Sequence, residues 1–157
     1  ISWDLNAQII LHGVSMGAAT VLMASGEELP ENVKAIIADC GYTSEWDEFK
    51  CEANALHIPW FPVLNAASVM SRLRDGYDFK QASALEQVKQ SRIPTLFIHG
   101  SDDELVPYSM LDKLYSAAAC EKECLTVNGA GHALSSSVEP ELYWNTVENF
   151  IEKCLEK

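Results

Sequence analysis

The sequence predicts an α/β fold, with about four mostly parallel strands flanked by helices in a single unit over residues 1–157. Three observations predict it. Four short apolar runs recur along the chain: Ile9-Ile10-Leu11, Val33 to Ala38, Ile93 to Ile98, and Cys124 to Asn128. Helix signals fill the intervals, so strand and helix alternate, the pattern of a parallel sheet joined by right-handed crossovers. No repeat, low-complexity tract or linker divides the chain.

The first run leads directly into Gly13-Val14-Ser15-Met16-Gly17, which reads as a strand turning sharply into a helix with a serine at the apex. Such a reversal brings backbone and neighbouring Cβ atoms close together, so both glycines are expected to be required. Ala18 to Ala24 continues as a small-residue, largely apolar helix suited to tight packing on a sheet. The second strand ends at Asp39 and Cys40, and Ser44 with Asp47 three residues on matches a capping box that opens a helix to about Leu56. Ile58-Pro59-Trp60-Phe61-Pro62 breaks that helix and begins another through roughly Arg74. Ser83 with Glu86 is a second capping-box match, starting a short helix into Ile93. Later helices are expected after Pro107 through Ala119, and after Pro140 through about Leu155, where Leu142, Val147, Phe150 and Ile151 share a buried face.

The apical serine carries the chemistry. At the amino end of a helix the backbone N–H groups are unpaired and the dipole is positive, so negative charge developing beside the serine is stabilised. A serine hydroxyl is a weak nucleophile and needs a base, with a carboxylate to orient that base. The polar loop Ser101 to Pro107 offers Asp102 and Asp103 beyond the third strand, where acids point into the ligand crevice of a parallel sheet. Asp39, ending the second strand, is a further candidate. His132 lies among small residues in Gly129-Ala130-Gly131-His132, a loop in which its ring can turn toward a partner. Of the other histidines, His12 is expected to pack behind the serine, His99 to brace the acid loop by a hydrogen bond, and His57 to sit at the surface or line a site. No pair of them has zinc-ligand spacing with the cysteines, so no metal site is expected.

Three signatures together resemble one family. G-x-S-x-G at Gly13 to Gly17, H-G-x-x-D-x-x-V-P at His99 to Pro107 and G-x-G-H at Gly129 to His132 are similar to the motifs of the α/β-hydrolases. The branch they resemble is the small bacterial serine hydrolases related to prolyl-oligopeptidase-like and dienelactone-hydrolase-like enzymes. The resemblance covers essentially the whole chain and implies a partial α/β-hydrolase fold, the fifth to eighth strands of that sheet. The insertion at about residues 44–80 stands where the fold carries its cap. It implies Ser15 as nucleophile, Asp103 as the acid by its spacing to Val106-Pro107, His132 as general base, and the Met16 N–H as one oxyanion donor. Trp60 and Phe61, with Leu64 and Met70, become candidates for lining an acyl pocket.

The implied activity is cleavage of a carboxylic ester or thioester through an acyl-enzyme, on a small-molecule acyl substrate and without a cofactor. A serine peptidase is the alternative, and a non-catalytic interaction domain is the alternative of another class. A second oxyanion donor belongs to a loop after the family's third strand. A chain opening on Ile1 rather than methionine is therefore expected to be part of a longer polypeptide, and to hydrolyse poorly by itself. The strand around Gln8 to Leu11 is then expected to present an open edge that a second copy covers, giving a homodimer.

Composition narrows the partners. With 23 acidic against 11 basic residues the net charge is −12, which disfavours nucleic acid and anionic membrane surfaces. Five cysteines without a C-x-x-C pair read as reduced thiols of a cytoplasmic protein, with Cys40 in small buried packing. No secretory signal or membrane span is evident in these residues.

Overall fold

A computed structural model of the chain describes residue 4 and residues 6–156. Four strands, β1 (Ile9–Val14), β2 (Val33–Asp39), β3 (Thr95–Gly100) and β4 (Lys122–Val127), form one parallel sheet in chain order. Helix α1 (Met16–Ala24) joins β1 to β2, and α2 (Glu45–Ala55), α3 (Trp60–Asp75) and α4 (Ala84–Val88) lie between β2 and β3. Helix α5 (Ser109–Ala117) joins β3 to β4, and α6 (Ser135–Val138) and α7 (Pro140–Leu155) follow the sheet.

The strand order decides where the helices go. Right-handed crossovers that always step in one direction deliver their helices to one face of the sheet. On that face Ala18 and Leu22 of α1, Val88 of α4 and Leu111 and Leu114 of α5 pack on Ile36, Ala38 and Phe97. Helix α7 comes after β4 and covers the opposite face. There Tyr143, Val147, Phe150 and Cys154 meet Ala35, Ile37, Leu96 and Ile98. Alternate residues of β2 and β3 thus serve the two layers, so both strands read as continuous apolar runs.

Local rules account for most boundaries. Ser44 and Ser83 cap α2 and α4 by accepting hydrogen bonds from the Asp47 and Glu86 amides. Only that half of each capping box forms. The Asp47 carboxylate instead accepts from the Thr43 hydroxyl at 2.6 Å, and Glu86 pairs with Lys89. Strand β3 starts at Thr95 rather than Ile93 because Pro94 has no N–H to give the ladder, although its carbonyl accepts from Ile36. Helix α5 stops at Ala117, where the Lys122 ammonium caps the Tyr115 and Ala118 carbonyls. The buried stripe of α7 begins at Tyr143, and Leu142, expected to be buried, is 46% exposed. One residue of rotation, fixed by Tyr143 reaching under the sheet, separates the two readings.

The helical insertion departs most from simple amphipathicity. Phe61 is non-helical, so α3 winds regularly only from Pro62 onward, and Gly76 at φ 84° closes it in the left-handed conformation. Its buried positions are Leu64, Ser68 and Ser71. The two serines bind the returning chain, Ser68 accepting from the Phe79 amide and Ser71 donating to the Tyr77 carbonyl. Val63, Val69, Met70 and Leu73 are exposed. No helix among the described residues is long and apolar enough to cross a membrane.

One buried acid conflicts with the fold's stability at high pH. Glu48 of α2 is 7% exposed, and its Oε2 has no hydrogen-bond partner. Burial, and then the neighbouring Glu52 and Asp103 charges, push its carboxyl up to about 7 from an ordinary 4.5. The folded chain therefore binds a proton there that the unfolded chain has lost, and stability falls as pH rises between those values. Glu48→Gln is expected to raise Tm at pH 8 and to leave it unchanged at pH 4, where both side chains are neutral. Thermal melts at the two pH values check this.

Candidate active site

Each strand ends at one rim of the sheet, and the loops that leave it hold the site. Ser15 sits at the N-cap position of α1 with φ 55° and ψ −119°, its N–H bonded to the Asp39 carbonyl at 2.8 Å. Its side chain makes no capping bond. The hydroxyl instead lies 2.8 Å from His132 Nε2, and His132 Nδ1 lies 2.8 Å from Asp103 Oδ2. One imidazole therefore bridges a hydroxyl and a carboxylate from positions far apart in the chain.

The turn that presents Ser15 depends on one of its two glycines. A Cβ on Gly13 would stand 2.2 Å from the Gly17 carbonyl oxygen, whereas a Cβ on Gly17 would meet nothing within 4 Å. The sequence expectation that both glycines are sterically required is thus corrected. The crowding lies between the end of β1 and the first turn of α1, and only Gly13 faces it. The Met16 N–H opens α1, where no intrahelical acceptor exists, and the first turn carries no acidic side chain. An anion beside Ser15 meets that amide and the positive end of the helix.

Asp103 is placed by its own loop. Its Oδ1 accepts from the Leu105 and Val106 amides at 3.0 and 2.9 Å, leaving Oδ2 to face His132. His99, fully buried at the end of β3, bonds the Val106 carbonyl through Nε2 and lies 3.3 Å from Asp103 Oδ2. It braces the acid loop, as the sequence suggested. Burial alone would raise the Asp103 pKa, but hydrogen bonds from His99, His132 and the Val106 amide outweigh it and hold the carboxyl below its usual range. The neighbouring Asp102 is exposed and accepts from the Ser101 hydroxyl. Asp39 is buried and bonded to Ser135 and Tyr143, so it does not compete for His132.

The His132 loop is laced to the acid loop. Asp102 N–H donates to the Ala130 carbonyl, and Gly129 N–H to Ser101 Oγ. The approach is close enough that a Cβ on Gly100 would lie 2.2 Å from the Ala130 oxygen. Three non-glycine residues around the site, Ser15, Cys40 and Ala133, hold positive φ of 55°, 48° and 57°. Cys40 is fully buried beside the triad, and burial together with the Asp39 charge pushes its thiol up to about 12. It is a protonated packing group here, in keeping with the sequence expectation.

The remaining sequence candidates fall elsewhere. His12 is exposed on β1 and reaches Tyr143 at 3.0 Å, rather than packing behind the serine, and His57 is exposed after α2. Trp60 and Leu64 line an apolar groove of about 350 Å³ between α2 and α3, with Phe49, Leu56 and Phe79. Phe61 and Met70 lie outside that groove and are 65% and 62% exposed. A recess of about 1070 Å³ opens at the amino ends of the strands, beside Val33 and Ile93, away from the triad. Tyr143 and Ser135, which hold Asp39 beneath the elbow, were not singled out from the sequence. Neither sits in a motif, and only the fold brings them to Asp39.

A model of the prolyl oligopeptidase family matches residues 5–157. The chain belongs to the prolyl oligopeptidase family. Among curated relatives it is 30% identical over 143 residues to the uncharacterized protein YqkD of Bacillus subtilis, covering 90% of this chain and 47% of that protein. It is 29% identical over 106 residues to alpha/beta hydrolase domain-containing protein 17C of Xenopus tropicalis, covering 66% of this chain and 34% of that protein. The chain spans about half the length of the first of these relatives. Among solved structures, an esterase of Pyrococcus furiosus aligns at TM-score 0.68 and 18% identity over 94% of this chain and 54% of its own. An acylaminoacyl peptidase of Pyrococcus horikoshii aligns at TM-score 0.66 and 18% identity over 97% of this chain and 25% of its own. The fold of this prolyl oligopeptidase family member is thus an α/β-hydrolase fold in part, four parallel strands with their helices.

The two elbow glycines separate in a stability experiment. Gly13→Ala is expected to cost several kcal/mol, because backbone must move to admit the methyl group. Gly17→Ala, in open space on a helix, is expected to be neutral or to stabilise by up to about 1 kcal/mol. Urea denaturation of both variants checks the contrast.

Proposed function

We propose that Ser15, His132 and Asp103 are the catalytic triad of a serine hydrolase that cleaves a carboxylic ester or thioester through an acyl-enzyme. The single observation that carries this reading is the imidazole held at 2.8 Å from both the Ser15 hydroxyl and the Asp103 carboxylate. In the proposed reaction Ser15 Oγ attacks the carbonyl carbon as its proton passes to His132 Nε2. Asp103 stabilises the imidazolium that forms, and the Met16 N–H with the α1 terminus supports the oxyanion. His132 then protonates the leaving group, and a water activated by the same ring releases the acyl group.

Asp103 is suited to this role because its hydrogen bonds keep it ionised. A whole protein of the relatives' length would supply a second oxyanion donor from outside these residues. Loss of one donor costs about 10²–10³ in turnover, so the 157-residue chain alone is proposed to be the weaker catalyst. The non-catalytic alternative leaves the Ser15–His132–Asp103 geometry without a chemical reason.

A peptide substrate is the second reading, favoured by the family match and by the likeness to an acylaminoacyl peptidase. Both readings use the same groups and differ in the leaving group. Cys40, Cys51, Cys120 and Cys124 are thiols, which supports a reducing compartment, and we place the protein in the cytoplasm.

A fluorophosphonate probe tests the triad directly. Covalent labelling is expected on the chain and is expected to vanish in Ser15→Ala. Asp103→Asn is expected to slow turnover by about 10⁴-fold, and Asp102→Asn to leave it within a few-fold. Equal effects of the two would remove Asp103 from the mechanism. A panel of short-chain nitrophenyl esters and aminoacyl anilides divides the ester reading from the peptide reading.

A further inference from the structure

Cys40, Asp103 and His132 follow three different strands, and one ligand atom of each lies within 4.8 Å of the other two. A thiol, a carboxylate and an imidazole are donors that zinc and cadmium take up together. We propose that these three side chains form a binding site for a thiophilic divalent cation, zinc or cadmium, whose occupation shuts off Ser15. The inhibitory half of the proposal rests on the triad reading above, and the binding half rests on the donor set alone.

The site needs little rearrangement. In a tetrahedral site with bonds of 2.0–2.3 Å, neighbouring donors stand about 3.6 Å apart, so the cluster contracts by about an ångström at its widest. His132 is the group free to move, its side chain being 20% exposed while that of Asp103 is 0%. Asp103 Oδ1 stays anchored by the Leu105 and Val106 amides, and Oδ2 can exchange the imidazole for a cation without unfolding the loop. As the sulfur–metal bond replaces its S–H bond, Cys40 gives its proton to solvent, and the cation takes over the attraction to the carboxylate.

Either mode of imidazole ligation breaks the relay. Binding at Nδ1 replaces the hydrogen bond that Asp103 uses to orient the ring, and binding at Nε2 occupies the lone pair that faces the Ser15 hydroxyl. Magnesium, which takes oxygen ligands, is poorly served by a thiol and an imidazole. Sequence spacing could not disclose this site, because its donors meet only when β2, β3 and β4 lie side by side. No other group of three such donors occurs among the described residues.

The test titrates cadmium, zinc and magnesium chlorides against the full 157-residue chain and against Cys40→Ala and Cys40→Ser. Binding is read from the ultraviolet sulfur-to-cadmium charge-transfer band, taken as the difference between the native chain and each variant, since other thiols also contribute. The state of Ser15 is read by fluorophosphonate labelling, each protein being compared with its own rate in chelator, and circular dichroism confirms that the variants fold. A difference band is expected, and cadmium or zinc, but not magnesium, is expected to suppress native labelling. In the variants the cadmium concentration needed is expected to rise by about 10–100-fold. Absence of a difference band, labelling unmoved by saturating cadmium, or suppression undiminished in both variants would each overturn the proposal. If the native chain does not label even in chelator, the triad reading fails instead, and the difference band alone decides the cation site.

Discussion

Parallel strands laid side by side in chain order share one rim, and the geometry of the candidate site follows from that constraint. Each strand delivers one group to the rim: Ser15 after β1, Cys40 after β2, Asp103 after β3 and His132 after β4. The hydrogen-bonded ladder fixes the spacing of the strand ends, so the loops need only aim their side chains. The Ser15 amide on the Asp39 carbonyl carries the ladder one residue past β1, and the bonds between the acid and histidine loops do the same between β3 and β4.

Aiming has an energetic cost that is concentrated at the same rim. Left-handed backbone at Ser15, Cys40 and Ala133 is of the kind that costs about 1–3 kcal/mol per residue and persists only where surroundings over-determine it. The surroundings here are the packed layers, with fully buried Leu22, Phe97 and Leu114 on one face of the sheet and Tyr143 and Phe150 on the other. The buried acids show the same division of labour. Asp103 is held below its usual range by donors, whereas Glu48, with no donor to its Oε2, is pushed up to about 7.

Much of this was legible in the residues. The four apolar runs gave the strands, and alternation with helix signals gave their parallel arrangement, because both depend on local pattern. Three motifs picked out Ser15, Asp103 and His132, since a tight turn, an acid loop and a small-residue loop each need particular residues at fixed spacing. What escaped the sequence depends on register or on contact. The one-residue rotation that buries Tyr143 rather than Leu142 is set by packing under the sheet. The crowding at Gly13 but not Gly17 is set by where α1 lies over β1. The serines buried in α3 are explained only by the chain that returns to bind them.

The two faces of the sheet are protected very differently. One is clothed progressively by α1, α4 and α5 as the strands are laid down, while the other receives α7 only after β4. During vectorial synthesis on the ribosome, Ile37, Leu96 and Ile98 therefore remain uncovered by α7 until sixteen further residues of helix have emerged behind the sheet. A nascent chain in which β1 to β4 are made still exposes this apolar face, and a chaperone has most to protect in that interval.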